Sequence, residues 1–148
     1  MPKVHGEIHW NELMTRDIAS AKAYYSSTCG WTWETVPMGD AEYHVAKRGE
    51  DMVAGMMDMA DIPNMDEIPA HWFMYIAVDD VDAAAKQTAA MGGTVMRDLF
   101  EVEGVGRFAI IKDPTGAALG LMTPSNPKTP PQHLVFKGWF RMVPGLGT

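Results

Sequence analysis

The chain repeats itself, and that repeat constrains its fold more than any other feature. Trp10 to Gly30 reads WNELMTRDIASAKAYYSSTCG, and Trp72 to Gly93 reads WFMYIAVDDVDAAAKQTAAMGG. Sliding the first stretch by 63 positions lays Trp10 on Phe73, Asp17 on Asp80 and Gly30 on Gly93. The same shift matches Ile18 with Val81 and Ala21 with Ala84, keeping one helix face apolar. Each copy spells a strand, an Asp turn, a short helix and a glycine stop. Self-similarity at a fixed period implies equivalent structural units that complete one core together.

The flanking segments complete each unit. In the first, Glu7 to Met14 reads as a strand and Asp17 as the N-cap of a helix from Ile18 to about Thr28. Ile18, Ala21, Tyr24 and Tyr25 form the stripe that such a helix would bury. WTWETV from Trp31 alternates as a half-buried strand ending at Pro37. A turn at Met38-Gly39-Asp40 leads to strands Tyr43 to Arg48 and Met52 to Asp58, joined by a hairpin turn at Gly49-Glu50-Asp51. Ala60 to Ala70, with Pro63, Asn64 and Pro69, reads as a linker. The second unit gives a strand Trp72 to Val78 and a helix Val81 to Met91 capped by Asp80. Strands Thr94 to Phe100, Arg107 to Lys112 and Ala117 to Thr123 follow, with a turn at Asp113-Pro114-Thr115-Gly116 between the last two. The expected fold class is α+β, with two βαβββ modules (7–59 and 71–124) in a single domain, 1–124. The remaining tail, 125–148, carries Leu134, Val135, Phe136, Trp139 and Phe140. Such aromatic side chains are costly to leave in water, so the tail is expected to dock on its own domain or on a dimer partner.

Composition removes several functional classes. Of the 148 residues, 47% are hydrophobic and 21% charged, the balance of a globular protein. The net charge of −7 speaks against a nucleic-acid partner, because that affinity rests on Lys and Arg neutralising phosphates. No apolar run approaches the roughly 20 residues of a membrane span, and the N-terminal MPKVHGEIHW lacks the apolar core of a signal peptide. The lone cysteine, Cys29, has no internal disulfide partner and is read as a small buried filler at a helix end. These points make the cytoplasm the expected location. Met52, Met56, Met57, Met59 and Met65 fall close together, as a loosely packed core or as an adaptable pocket wall.

The successive strand-helix-three-strand units resemble the vicinal oxygen chelate superfamily, which includes glyoxalase I, extradiol dioxygenases and bleomycin-resistance proteins. WNELMTRD, Gly30-Trp31, AVDDVDAA from Ala77, Gly92-Gly93 and GVGRFAIIKDPTGAALGL from Gly104 carry the resemblance. It is most similar to the 27-kilodalton-antigen or hydroxylase-like branch. It implies curled half-barrel sheets around a cup (the glyoxalase/bleomycin resistance/dioxygenase fold), and a homodimer. Metal-dependent members supply His, Gln or Glu ligands from the first and last strands of each module. The matching positions here are Trp10, Gly55, Phe73 and Gly120. None offers the imidazole, carboxylate or thiolate that such a metal needs. The expectation is therefore no metal and no cofactor. His5, Glu7 and His9 alternate on one strand, which spreads the outer two over about 13 Å, too far for one ion. The remaining histidines, His44, His71 and His133, are scattered along the chain and read as ordinary surface residues.

Alternation then names the lining. Trp10 inward brings Glu12 and Met14, and Phe73 brings Tyr75. Gly55 brings Val53 and Met57, while Gly120 brings Ala118 and Met122. Glycines on the closing strands leave room for a ligand to approach backbone. Glu12 is the one acid on this face, so either its pKa is raised or it pairs with a cation such as Arg107. Three functions fit. The first is a metal-free binder of a small aromatic or antibiotic-like molecule. The second is a metal-independent isomerase, lyase or hydroxylase-like enzyme with Glu12 as acid or base. The third is a scaffold whose cup is filled by its own side chains or tail.

Overall fold

The structure is a computed structural model, and it describes residues 4–38, 40–62, 65–102 and 106–125. The tail residues expected to dock, Leu134 to Phe140, lie outside these. Contacts divide the described chain into two compact units, residues 11–72 and residues 4–10 with 73–125.

The unit of residues 11–72 holds most of β1 (Ile8–Thr15), then α1 (Ile18–Cys29), β2 (Thr32–Met38), β3 (Ala41–Arg48) and β4 (Asp51–Asp58). Its strands lie in the order β2-β3-β4-β1, with β1 parallel to β4 and the other neighbours antiparallel. Asp17 starts α1 by accepting the Ser20 N–H at 3.0 Å. Gly30 ends it at φ 71°, a left-handed turn in which glycine has no Cβ to clash. Pro37 sits inside β2, which among the described residues is an edge strand, the place in a sheet where proline is tolerated. Where the sequence reads as linker, Asp58 accepts from Ala60 and caps a short 3-10 turn, Met59–Asp61.

The other unit holds β5 (His71–Ala77) from Phe73 onward, α2 (Val81–Ala90), β6 (Thr94–Val102), β7 (Gly106–Lys112) and β8 (Ala118–Pro124). Its strand order, β5-β8-β7-β6, repeats the first, again with one parallel pair. The N-terminal residues join it where Gly6 N–H donates to Ala77 and Ala77 N–H donates to Glu7. Asp80 caps α2 by accepting the Ala83 N–H at 3.1 Å. Val81 N–H donates to the Thr123 hydroxyl, which donates to the Val78 carbonyl, so the start of the helix is pinned to the end of β8. Val78, Val81 and Ala85 pack with Ala109, Ile111 and Leu121, so α2 covers one face of this sheet.

The predicted elements hold, with edges displaced by two residues at most. Two packing expectations do not. The α1 stripe buries no residue, and Tyr24 is 59% exposed. Its aromatic neighbours explain this: Tyr24 meets Tyr25 edge-on at 4.9 Å, and Tyr25 lies flat on Trp31 at 5.2 Å. Cys29 is exposed rather than a buried filler, because it ends the helix just before the turn at Gly30. Of the clustered methionines, Met56, Met57 and Met59 are core residues.

Candidate functional site

Pairing across the strands sorts side chains by face, since residues directly opposite one another point the same way. In the unit of residues 11–72, Leu13, Met56, His44 and Thr35 share one row. This row lies on the α1 side, where Lys22 of α1 donates to the Thr35 hydroxyl at 3.4 Å. Glu12, Gly55 and Val45 share the opposite face, beside a second row of Met14, Met57 and Tyr43. The Tyr43 ring lies over Gly55, in the space that any Cβ there would need. Its hydroxyl donates to Glu12 Oε2 at 3.1 Å. Glu12 is 1% exposed. Burial pushes its carboxyl well above the ordinary glutamate range, and the Tyr43 hydrogen bond only partly opposes that. A carboxyl that keeps its proton can both donate and accept a hydrogen bond.

The second unit builds the same position from other chemistry. Tyr75 stands 63 residues beyond Glu12 and pairs with Gly120 as Glu12 pairs with Gly55. Here the ring of Tyr75 itself covers the glycine. Phe108 pairs with Met122 as Tyr43 pairs with Met57, so a phenyl ring without a hydroxyl replaces the tyrosine. The rings form a row: Phe73 to Tyr75 at 5.2 Å, Tyr75 to Phe108 at 6.0 Å, and Phe108 stacked on Phe100 at 5.6 Å. At its end the Arg97 guanidinium lies 4.0 Å over the Phe100 ring.

Several sequence expectations need correction. The glycines do not leave vacant floor; the protein's own tyrosine rings take that space. Arg107 is engaged elsewhere: its Nε donates to Asp82 at 2.6 Å, with Glu101 at 4.0 Å. Glu12 instead has a tyrosine hydroxyl, while burial raises the pKa of its carboxyl. Trp10, Met14, Met57, Tyr75 and Met122 are buried, while Val53 and Phe73 are half-buried. Ala118 opens β8 and is exposed. His44 is buried, contrary to its reading as a surface residue, with Nδ1 3.2 Å from the Thr35 hydroxyl. Sequence reasoning missed Tyr43, Phe108, Phe100 and Arg97. Counting back from the hairpin at Gly49 would set Tyr43 opposite Met56; a bulge between Ala46 and Lys47 shifts the register by one and sets it opposite Met57, so the turn alone could not have found it.

On the α1 side, Lys22, Glu42, His44, Asp58 and Asp61 line a cleft of about 500 Å³. Burial and nearby Lys22 lower the pKa of His44. Burial, with Asp58 and Glu42 close by, raises that of Asp61.

A metal of the kind used by metal-dependent relatives does not fit these residues. Trp10, Gly55, Phe73 and Gly120 supply no donor atom, and rings occupy the space over both glycines. Among the described residues, no three His, Cys, Asp or Glu side chains are grouped as a metal site.

Two βαβββ modules with matched strand order and matched glycine positions define an α+β fold of curled half-barrel sheets. The chain belongs to the Glyoxalase/Bleomycin resistance protein/Dioxygenase superfamily, whose model matches residues 7–121. It is 38% identical over 121 residues to CFP32 of Mycobacterium bovis, a candidate glyoxylase, covering 81% of this chain and 45% of that protein. It is 30% identical over 123 residues to the anthracycline biosynthesis protein DnrV of Streptomyces peucetius, covering 76% of this chain and 45% of that protein. The chain thus spans less than half the length of the curated relatives it matches. Among solved structures, it superposes on methylmalonyl-CoA epimerase from Mycobacterium tuberculosis with a TM-score of 0.56 at 14% identity, covering 85% of this chain and 94% of that one. It also superposes on hypothetical protein BH1468 of Bacillus halodurans with a TM-score of 0.62 at 7% identity, covering 84% and 98%. At such identities the likeness is one of fold. Among the described residues, no helix is long and apolar enough to cross a membrane.

Proposed function

We propose that this chain binds a small, aromatic, antibiotic-like molecule without a metal ion, on sheet faces turned away from the helices. The observation that carries this is the ring row Phe73–Tyr75–Phe108–Phe100, whose end members Phe73 and Phe100 are only half-buried. Stacked and edge-on rings form the wall that a flat apolar molecule packs against. The likeness to a protein of anthracycline biosynthesis supports an aromatic, polycyclic ligand class. Tyr75 fills the position over Gly120 beside that row, so the ligand meets a ring rather than bare backbone. Pairing with a second copy of the chain belongs to the same proposal.

A second reading has one observation of its own in favour. Glu12, buried beside the Tyr43 hydroxyl with its pKa raised by burial, has the properties of an acid–base group. In this reading the chain is a metal-independent enzyme, such as an isomerase or lyase.

The test is a thermal-shift and calorimetric screen of polycyclic aromatic compounds against aliphatic ones of equal size, followed by Glu12→Gln. A binder is stabilised by the aromatic set alone and keeps its affinity in Glu12→Gln. An enzyme loses turnover in that variant by about 10²–10⁴-fold. Equal stabilisation by both compound sets would remove the aromatic reading.

A further inference from the structure

Arg97 lies in the sheet of its unit with no anion beside it among the described residues. Its Nη1 is buried without a hydrogen-bond partner, and among the described residues no carboxylate pairs with its guanidinium. Arg107, the other arginine of that unit's sheet, has both Asp82 and Glu101. A buried donor left unmade is costly, and more so when it is charged. Burial accordingly lowers the pKa of Arg97.

The backbone shows how this cation comes to lie against the ring row. Arg97 pairs with Ile110, Ile110 with Gly120, and Gly120 with Tyr75, so one transverse row runs from the guanidinium to the tyrosine. Arg97 and Phe100 are three apart, and on a regular strand they would point to opposite faces. The register of β6 slips between them: Arg97 opposes Ile110 while Phe100 opposes Phe108. The extra residue turns Phe100 onto the face of Arg97, the re-aiming that a bulge provides. Phe100 then stacks on Phe108 and has the guanidinium over its ring. A guanidinium over a ring has its N–H bonds pointing outward in its own plane, the geometry that meets a planar, two-oxygen partner.

We propose that this face takes its ligand as an anion: a flat aromatic acid, or an acidic phenol, whose charged oxygens are held by Arg97. This rests on the reading above that an aromatic molecule packs against the same row, and it adds the charge and the residue that recognises it. The ligand's rings lie over Ile110 and beside Phe108, within the roughly 10 Å that two strand spacings put between Arg97 and Gly120.

The test compares 1-naphthoate with its neutral counterpart 1-naphthamide by titration calorimetry, on the wild-type chain, Arg97→Lys and Arg97→Met. The acid should bind more tightly than the amide and weaken with added salt, while the amide should be insensitive to salt. Arg97→Met should weaken the acid by about tenfold to a hundredfold and leave the amide unchanged. Arg97→Lys should recover only part of the loss, because the fork is gone and the charge remains. Equal binding of acid and amide, or equal effects of the variants on both, would remove the anchor and leave the aromatic face standing. Absence of binding by both compounds at millimolar concentration would remove the anchor and the aromatic face together. The salt comparison needs no variant, so a misfolded Arg97→Met still leaves a decision.

Discussion

Tyr43 donates its hydroxyl to Glu12 at 3.1 Å while its ring closes the space over Gly55. One side chain thus fills the position and holds the buried acid of that face. In the other unit, Tyr75 and Phe108 occupy the equivalent positions and meet edge-on at 6.0 Å, with no acid between them. The two halves keep the repeat's geometry and diverge in its chemistry. The first keeps an acid whose proton burial holds more tightly, and the second offers rings and an arginine.

That proton makes stability depend on pH. The folded chain holds the Glu12 proton above 4.5, the ordinary value at which the unfolded chain releases it. The stability it contributes is complete below 4.5 and is lost as the pH rises through the raised folded value. His44 acts in the opposite sense: with its pKa lowered from 6.5, its contribution is present above 6.5 and lost as the pH falls. Glu12→Gln should therefore flatten the alkaline-side decline of Tm and leave the acid-side decline in place. Melting curves at pH steps from 4 to 9 check this, and an unchanged alkaline slope would show Glu12 ionised in the folded chain.

Removal of the hydroxyl alone gives a second prediction. The Tyr43 hydrogen bond lowers the Glu12 pKa against burial. Tyr43→Phe should raise that pKa further, read from the ¹³C shift of the Glu12 carboxyl. It should also cost about 0.5–1.5 kcal/mol of stability, the usual worth of one hydrogen bond.

Metal removal should change nothing, because no donor atom stands at Trp10, Gly55, Phe73 or Gly120. Dialysis against a chelator, then addition of zinc, manganese or ferrous ions, should leave Tm and ligand affinity as they were. A rise in Tm with one ion at stoichiometric concentration would place a donor set outside these four positions.

The element order was legible because it is written in local signals. Asp17 and Asp80 cap their helices, Gly30 and Gly49 make the turns, and alternation marks the strands. The inward position of Glu12 followed from the same alternation. Its partner did not. Arg107 was chosen for its charge, but α2 places Asp82 within 2.6 Å of it, a contact between elements far apart in the chain. Arg97 was hidden for another reason. The bulge before Phe100 breaks the period-two count that sequence reading relies on. The filled glycines were hidden too, since alternation tells which face a ring is on but not which way it leans.

Arg107 supplies a control for the anchor argument. It is partly exposed and already satisfied by Asp82 and Glu101, an arrangement that contributes little when solvent screens it. Arg107→Met should leave the affinity for an aromatic acid unchanged within error, where Arg97→Met weakens it. Calorimetry on both variants in one buffer separates recognition by a particular arginine from attraction to positive charge in general. Equal losses in both would mean that only net charge matters.

The glycines provide the sharpest steric prediction. A Cβ on Gly55 would run into the Tyr43 hydroxyl and ring, and one on Gly120 into the ring of Tyr75. Both rings are buried, so neither can swing into solvent without opening the packing around it. Overfilling a packed interior typically costs about 1–3 kcal/mol. Gly55→Ala and Gly120→Ala should each lower stability by at least that range, measured by urea unfolding. The loss at Gly55 has a specific cause, so it should be relieved by making room. Gly55→Ala combined with Tyr43→Ala should be less destabilised than the sum of the two single changes, because the added methyl enters the space the ring vacates. Strict additivity would mean that the ring does not limit the size of residue 55.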